Sequence, residues 1–383
     1  MKKTILMVLL ALGSATVSQA QFGPPRIVSP EIKEDNSVIF RLFAPKAETV
    51  TISGNWMDGW GATETLERND TGLWTITVQP LKPEFYTYNF NVNGVKVIDP
   101  GNPLSVRDGV NIFSTLMVPG KESHLYKNNN VPHGTLEKVW YSSPTLGLDR
   151  RMYVYTPPGY KNSTQKYPVL YLLHGGGGDE DAWTSLGRTP QIIDNLIAEG
   201  KALPMIVVMT NGNPGQAAAP TEQIAGKAPQ DFTGMGSGLF EKSLIEDVIP
   251  FIEKNYRVDA QKSRRAVAGL SMGGIQTMTL SFTSPETFSY YGVMSMGLVD
   301  LTQFGRKETG EDRIVSLGKL RKSNPELYWI ACGTGDFLYK SVVELIAFLE
   351  EQDFPHIYVE TDGGHTWDRW RIYLSDLAPL LFR

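Results

Sequence analysis

Ser271 is the residue whose neighbours best equip it to act as a nucleophile. It lies in Gly269-Leu270-Ser271-Met272-Gly273, after the apolar run Ala266-Val267-Ala268 and before Ile275 to Leu280, which reads as a helix. A serine between glycines on a sharp strand-to-helix turn carries its hydroxyl clear of the backbone. The small neighbours let the chain bend and let a substrate approach. A serine hydroxyl is a weak nucleophile at neutral pH until an imidazole takes its proton. The chemistry such a residue performs is attack on a carbonyl. The chain must then also supply a base, an acid to orient that base, and donors for the oxyanion.

The sequence holds five histidines, so the search for the base is short. His124 and His133 lie in or beside a polar stretch, His174 sits in a glycine run, and His356 begins the last apolar strand. His365 lies in Asp362-Gly363-Gly364-His365-Thr366-Trp367, a loop after that strand and before the C-terminal helix. Loops at the carboxyl ends of sheet strands are where sites of α/β folds form, so His365 is the expected base. The acid is expected between serine and histidine in chain order. Asp336, in Cys332-Gly333-Thr334-Gly335-Asp336-Phe337, directly follows the apolar run Tyr328 to Ala331 and is the candidate. Asp300 and Asp312 are rivals in order without a clear strand before them, and Asp362 stands too close to His365.

For the oxyanion, Leu172-Leu173-His174-Gly175-Gly176-Gly177-Gly178-Asp179 offers a glycine loop after a strand. Its amides at Gly175 or Gly176, with the Met272 amide beside the nucleophile, are the expected donors. The loop lacks the Lys-Ser/Thr of a phosphate-binding P-loop. His174 is expected to brace the loop, and Cys332 to pack in the core.

These residues need a scaffold. From Val28 to about Val118 the chain reads as short strands, among them Val38 to Phe43, Thr49 to Ser53, Leu73 to Val78 and Phe85 to Val92, with turns at Asp70-Thr71-Gly72 and Asn93-Gly94. That spacing predicts a small β-sandwich over residues 25–118. Residues 119–134, with Lys127-Asn128-Asn129-Asn130, read as a linker. Over 135–383, strands such as Met152 to Tyr155, Val169 to Leu173, Ile206 to Met209 and Ile357 to Val359 alternate with helices near Ile192 to Glu199, Glu241 to Asn255, Gly273 to Phe282, Ser341 to Glu351 and Asp368 to Leu381. The alternation predicts a parallel sheet covered on both faces.

Taken together, the His174 to Gly178 loop, the Ser271 pentapeptide, Gly335-Asp336 and Gly364-His365-Thr366-Trp367 resemble carbohydrate esterase family 1. That family includes feruloyl and acetyl xylan esterases and is similar to the esterase D group with its enterochelin esterases. The resemblance implies an α/β-hydrolase fold, a triad of Ser271, Asp336 and His365, and no cofactor or metal. The N-terminal part is similar to carbohydrate-binding module family 48 and its immunoglobulin-like early-set relatives, through Phe43-Ala44-Pro45, Gly54-Asn55-Trp56 and Gly72-Leu73-Trp74. It implies acylated plant polysaccharide as partner, feruloylated arabinoxylan ahead of acetylated xylan. A siderophore esterase, a carbohydrate-binding protein with an inactive hydrolase domain and an acyltransferase with the same triad remain open.

Aromatic residues near these loops are candidate substrate contacts. Trp183 and Trp367 flank the triad loops, where each taken singly is expected to pack against the loops and the two could also line an aromatic acyl pocket; Trp56 and Trp60, in a glycine-rich loop of the sandwich, are open to sugar stacking, to shaping the active-site mouth or to packing. The unhelical stretch from Asn211 to Phe240 adds Gln230, Asp231 and Phe232. The sandwich is expected to matter for polymer more than for small esters, by holding polysaccharide near the cleft either through Trp56 and Trp60 or by completing the cleft wall.

The 383 residues carry a net charge of −5, which gives no electrostatic footprint for nucleic acid or an anionic membrane. Lys2-Lys3, the apolar run Ile5 to Leu12 and Ser18-Gln19-Ala20 predict a secretory signal over residues 1–20, hence export to the periplasm or beyond, and no further run is long enough to span a bilayer. With one cysteine, Cys332, an exported chain has no internal disulfide and depends on core packing.

Overall fold

The computed structural model describes residues 27–59, 61–219, 237–299 and 309–383. The expected signal segment, Trp60, Gln230, Asp231, Phe232 and Asp300 lie outside the described residues.

The N-terminal strands are β1 (Glu31–Ile32), β2 (Val38–Phe43), β3 (Val50–Gly54), β4 (Glu64–Thr65), β5 (Glu67–Arg68), β6 (Leu73–Val78), β7 (Phe85–Val92), β8 (Val95–Val97), β9 (Ser105–Asp108) and β10 (Asn111–Met117). Among the described residues they form two antiparallel sheets, in the orders β1-β2-β6-β5 and β4-β3-β7-β10-β9, with β8 on β7. Period-two alternation turns Val38, Phe40 and Leu42 of β2 inward, where they meet Val50 and Ile52 of β3 and Tyr86, Tyr88 and Phe90 of β7. This is the expected sandwich.

The second part is built on β11 (Thr135–Ser143), β12 (Leu148–Thr156), β13 (Val169–Leu173), β14 (Ile206–Thr210), β15 (Arg265–Leu270), β16 (Tyr290–Met294), β17 (Leu327–Gly333) and β18 (Ile357–Thr361), in the sheet order β11-β12-β14-β13-β15-β16-β17-β18. The sheet is mixed rather than wholly parallel. Residues Pro144 to Gly147 turn β11 back onto β12, so β12 runs antiparallel to both β11 and β14, and the rest is parallel. Around the sheet lie α1 (Ala182–Ser185), α2 (Thr189–Ala198), α3 (Leu239–Ser243), α4 (Ile249–Asn255), α5 (Met272–Thr283), α6 (Gly310–Lys322), α7 (Tyr339–Glu351) and α8 (Trp367–Leu377). A π-helical turn, Leu244–Val248, joins α3 to α4 just before Pro250, which has no N–H to give to an α-helical ladder. Every residue of β13 is buried, since both faces are covered. Val169, Tyr171 and Leu173 face the core shared with α5, α6 and α7, while Leu170 and Leu172 face the core shared with α2 and α8.

The two parts are joined by a built interface. Phe85 of β7 is buried in the same apolar cluster as Leu170, Ile192 and Trp370 of the hydrolase part. The guanidinium groups of Arg188 and Arg371 lie over its ring, 5.4 and 5.5 Å from the centroid. Arg371 is fully buried and donates to Glu84 Oε1 (2.8 Å) and to the Leu186 carbonyl (2.7 Å). Within the segment read as a polar linker, Tyr126 is fully buried and its carbonyl accepts from Arg188 Nε at 3.0 Å. The sandwich is therefore docked on the hydrolase part through buried charge and aromatic packing.

Candidate active site

β13 is the strand at which the sheet order reverses, with β14 on one side and β15 on the other. A crevice opens outside the carboxyl ends of strands at such a point. The glycine run leaves β13 there, and Ser271 leaves β15. Asp336 follows β17 and His365 follows β18 on the same edge. Four separate turns thus bring the expected residues to one rim of the sheet.

Ser271 has φ 52° and ψ −116°, a left-handed conformation that costs a non-glycine residue roughly 1–3 kcal/mol. The turn is held by the Ser271 N–H to the Met294 carbonyl (2.9 Å) and by the Ile275 N–H to the Ser271 carbonyl (3.1 Å). Its tightness explains the flanking glycines. A β-carbon on Gly269 would stand 2.4 Å from the Gly273 carbonyl carbon. Met272 opens α5, where the first N–H groups of a helix have no intrahelical acceptor and point outward.

His365 Nδ1 lies 2.9 and 3.0 Å from the two carboxylate oxygens of Asp336. A carboxylate can only accept, so Nδ1 carries the proton and Nε2 is the basic nitrogen. Burial would push the Asp336 carboxyl up, but the hydrogen bond from His365, the Leu338 amide at 2.8 Å and the Ser295 hydroxyl outweigh it and hold the group below the usual carboxylate range. The imidazole is flanked by two rings, the edge-on Trp370 at 5.0 Å and Phe337 at 4.4 Å. Trp370 is itself tied by its indole N–H to Ser295 Oγ (2.9 Å). Of the rival acids, Asp312 caps α6 through a reciprocal pair of bonds with Thr309, and Asp362 pairs with Arg369.

In the glycine loop, Gly175 is buried against the elbow: a β-carbon there would lie 2.5 Å from Leu270 Cδ1 and 3.3 Å from Ser271 Cβ. Gly176 is exposed. His174 accepts from the Gly212 N–H at Nε2 (2.8 Å) and so donates from Nδ1 to the Gly175 carbonyl (2.7 Å). Burial pushes its pKa down, which keeps it neutral, as a brace requires. Asn213 Nδ2 donates to the Gly178 carbonyl (3.1 Å), and Gln276 Nε2 to the Gly212 carbonyl (2.8 Å).

Of the alternatives open to Trp183 and Trp56, the structure favours packing. Trp183 is 1% exposed and donates its indole N–H to the Leu173 carbonyl (2.9 Å), so it is a core residue under the loop. Trp56 is partly buried, stacks on Phe40 at 5.4 Å and meets Tyr86 edge-on against the sandwich core, which takes one face of its ring. Trp367 is half-buried, with its ring against Trp183 and Trp370. Cys332 is buried and its thiol is pushed up to about 12 by burial and the nearby Asp336 charge, which makes it unreactive.

Phe337, Ser295, Trp370 and Asn213 were not singled out from sequence. Phe337 had a signal, since it directly follows the expected acid, and at 76% exposure it is a large apolar ring open to solvent beside the imidazole. Ser295 and Asn213 act through contacts with residues far away in sequence, and Trp370 through its place one turn into the helix that follows His365. No helix among the described residues is long and apolar enough to cross a membrane.

The Esterase family model, described as "Putative esterase", matches residues 143–380. Carbohydrate-binding module 48 (Isoamylase N-terminal domain) matches residues 27–103. The chain is similar to an endo-1,4-beta-xylanase/feruloyl esterase of Xylanibacter ruminicola, 31% identical over 361 residues that cover 92% of this chain and 46% of that protein. The chain thus spans about half the length of that relative. Among solved structures it shares its fold with a CE1 ferulic acid esterase of Anaeromyces mucronatus in complex with ferulic acid (24% identity, TM-score 0.55, 69% of this chain and 96% of that one). It also shares its fold with the enterobactin esterase of Shigella flexneri in the presence of enterobactin (18% identity, TM-score 0.64, 97% of this chain and 98% of that one). With a mixed α/β sheet carrying the His365–Asp336 pair on its rim and a family match over most of the second part, this chain belongs to the Esterase family.

Proposed function

We propose that this chain is an exported serine esterase that removes acyl groups from plant polysaccharide, with feruloyl esters of arabinoxylan as the first substrate class and acetyl xylan as the second. The observation that carries the reading is the His365–Asp336 pair at the sheet rim that also bears the strained Ser271. The similarity to a xylanase/feruloyl esterase extends over the sandwich as well as the catalytic part, which favours a plant cell-wall ester.

In this reading His365 Nε2 takes the Ser271 proton as Oγ attacks the ester carbonyl. Asp336, held ionised, keeps the imidazole in that tautomer and stabilises the imidazolium that forms. The oxyanion accepts hydrogen bonds from the Met272 N–H and from Gly175 or Gly176. His365 then protonates the departing alcohol, leaving the acyl group on Ser271. Water, deprotonated by the same imidazole, releases the acid and restores the serine. Because His365 meets the leaving oxygen, Phe337 borders the side on which the alcohol, here a sugar, departs.

The test is turnover of methyl ferulate, acetylated xylan and a tricatecholate siderophore, side by side with the same preparation. The expected order of kcat/KM places the ferulate first. A siderophore triester cleaved faster than both would replace this reading with siderophore hydrolysis, and no turnover of any ester would end it.

A further inference from the structure

Residues Gly175 to Gly178 have no side chains with which to hold their own conformation. Their place over Ser271 depends on what grips the loop from outside. Two grips come from the hydrolase part itself, His174 on the Gly175 carbonyl and Asn213 on the Gly178 carbonyl. The third comes from the sandwich. Arg107, in β9, spreads its guanidinium over Asp179, the residue after the last glycine, with Nη1 to Oδ2 at 2.5 Å and Nη2 to Oδ1 at 2.8 Å. The same Nη2 reaches Asp181 Oδ2 at 2.6 Å, and Nη1 also donates to the Gly109 carbonyl at 2.6 Å.

Asp179 is not a surface carboxylate that Arg107 merely decorates. Its side chain is 4% exposed, Oδ1 also accepts the Asp181 N–H at 3.0 Å, and its carbonyl accepts the Ala182 N–H at 3.1 Å. The guanidinium therefore fixes a carboxylate that in turn fixes the start of α1 and the far end of the glycine loop. Asp108, beside Arg107 in the chain, is half-buried. Without the guanidinium, the carboxylates of Asp179 and Asp181 would stand close together in a poorly solvated seam, which favours a shift of the loop that separates them.

Resting on the ester-hydrolase reading above, we infer that Arg107 is a positioning residue for the oxyanion loop: through this one side chain the sandwich domain sets the distance between the glycine amides and Ser271. A planar fork suits the task, because two parallel N–H···O bonds define the orientation of Asp179 as well as its distance. Donor amides misplaced by about 1 Å cost on the order of 10²-fold in rate. No polymer contact is involved, so the effect reaches small esters.

The test uses the full chain and p-nitrophenyl acetate, an ester too small to touch both parts. R107A is expected to lower kcat roughly 10- to 100-fold with KM changed less than about twofold, since the amides act on the transition state. Guanidinium at about 10 mM, far below unfolding concentrations, is expected to restore part of that kcat and to leave the wild type unchanged. R107K keeps the charge, and so the contact between the two parts, but lacks the fork; it is expected to fold as the wild type does and still lose kcat several-fold. Wild-type kcat in both variants would overturn the inference. So would a loss that guanidinium fails to restore and that follows the folded fraction seen by circular dichroism. Failure of the wild type to turn over any ester is a different result, because it removes the proposed function itself.

Discussion

The backbone of Gly273 lies directly against the carbonyl oxygen of Leu173, so that a β-carbon on Gly273 would stand 2.6 Å from it and 2.8 Å from the His174 carbonyl oxygen. This contact locks the turn after β15 to the end of β13, the strand from which the glycine loop departs. G273A is expected to lose about 1–3 kcal/mol through overpacking against backbone that cannot rotate away. Its residual kcat is expected to fall at least tenfold, because both amide sources move. Urea unfolding and ester turnover on the same preparation check it, and a wild-type midpoint with wild-type kcat would contradict the packing.

Ser271 is held in a conformation that suits glycine. S271A should abolish ester hydrolysis, by several orders of magnitude in kcat, while the fold remains. S271G should be equally inactive and more stable than S271A by about 1 kcal/mol, since it removes the penalty at positive φ. Thermal melts of the two inactive variants separate the effects. An S271G midpoint at or below that of S271A would show that the turn stores no strain.

Asp336 links activity to acid stability. Its carboxyl is held below the ordinary 3.8 in the folded chain, so the unfolded chain binds the proton first as pH falls. The stabilisation is present above about pH 4 and is lost as pH drops through the folded value. D336N cannot titrate, so its unfolding free energy should fall less steeply between pH 4 and 3, by up to about 1.4 kcal/mol per pH unit. The same change should lower kcat by roughly 10³- to 10⁴-fold through the wrong imidazole tautomer. Equal acid slopes for both proteins would mean that another carboxylate dominates the acid limb.

Phe337 exposes an apolar ring beside His365, which in the proposed reaction meets the departing alcohol. F337A should raise KM for a feruloyl-arabinose ester about 3- to 10-fold, the equivalent of about 1 kcal/mol of ring contact. Methyl ferulate, which carries the same acyl group on a methyl alcohol, should be affected less than about twofold. A larger effect on methyl ferulate would place the ring against the acyl group instead.

What could be read from the sequence was what local patterns encode. The elbow, the glycine loop and the loops of Asp336 and His365 each follow an apolar strand and carry their own turn residues, so their places at strand ends were legible. Other elements carry no such local mark. Strand β16 was not assigned, because Gly292 interrupts its apolar run; the structure shows that α8 packs there, with Leu377 Cδ2 2.5 Å from where a β-carbon would stand. Helix α6 buries little beyond Leu317 and Leu320, so it has a weak apolar stripe, and its one signal was the Thr309–Asp312 capping box. The first hairpin of the large sheet hid the antiparallel edge within an apparent run of alternating elements. Trp183 looked like a cleft residue by its place in the chain, yet its indole N–H serves the Leu173 carbonyl inside the core. Arg107 lies 72 residues from Asp179, and nothing near either of them in the chain announces the pair.

The buried seam between the two parts bears on how such chains can be recombined. Glu84, Phe85 and Arg107 on one side, and Asp179, Asp181, Arg188 and Arg371 on the other, form a lock of matched charges and stacked rings. A shuffled chain that takes the sandwich of one esterase and the hydrolase of another inherits half a lock. It then carries a guanidinium or a carboxylate stranded in the seam, at a cost of several kcal/mol per buried charge. The unit of inheritance is the pair of domains with all seven side chains, and grafting that respects this boundary preserves the catalytic rim along with the fold.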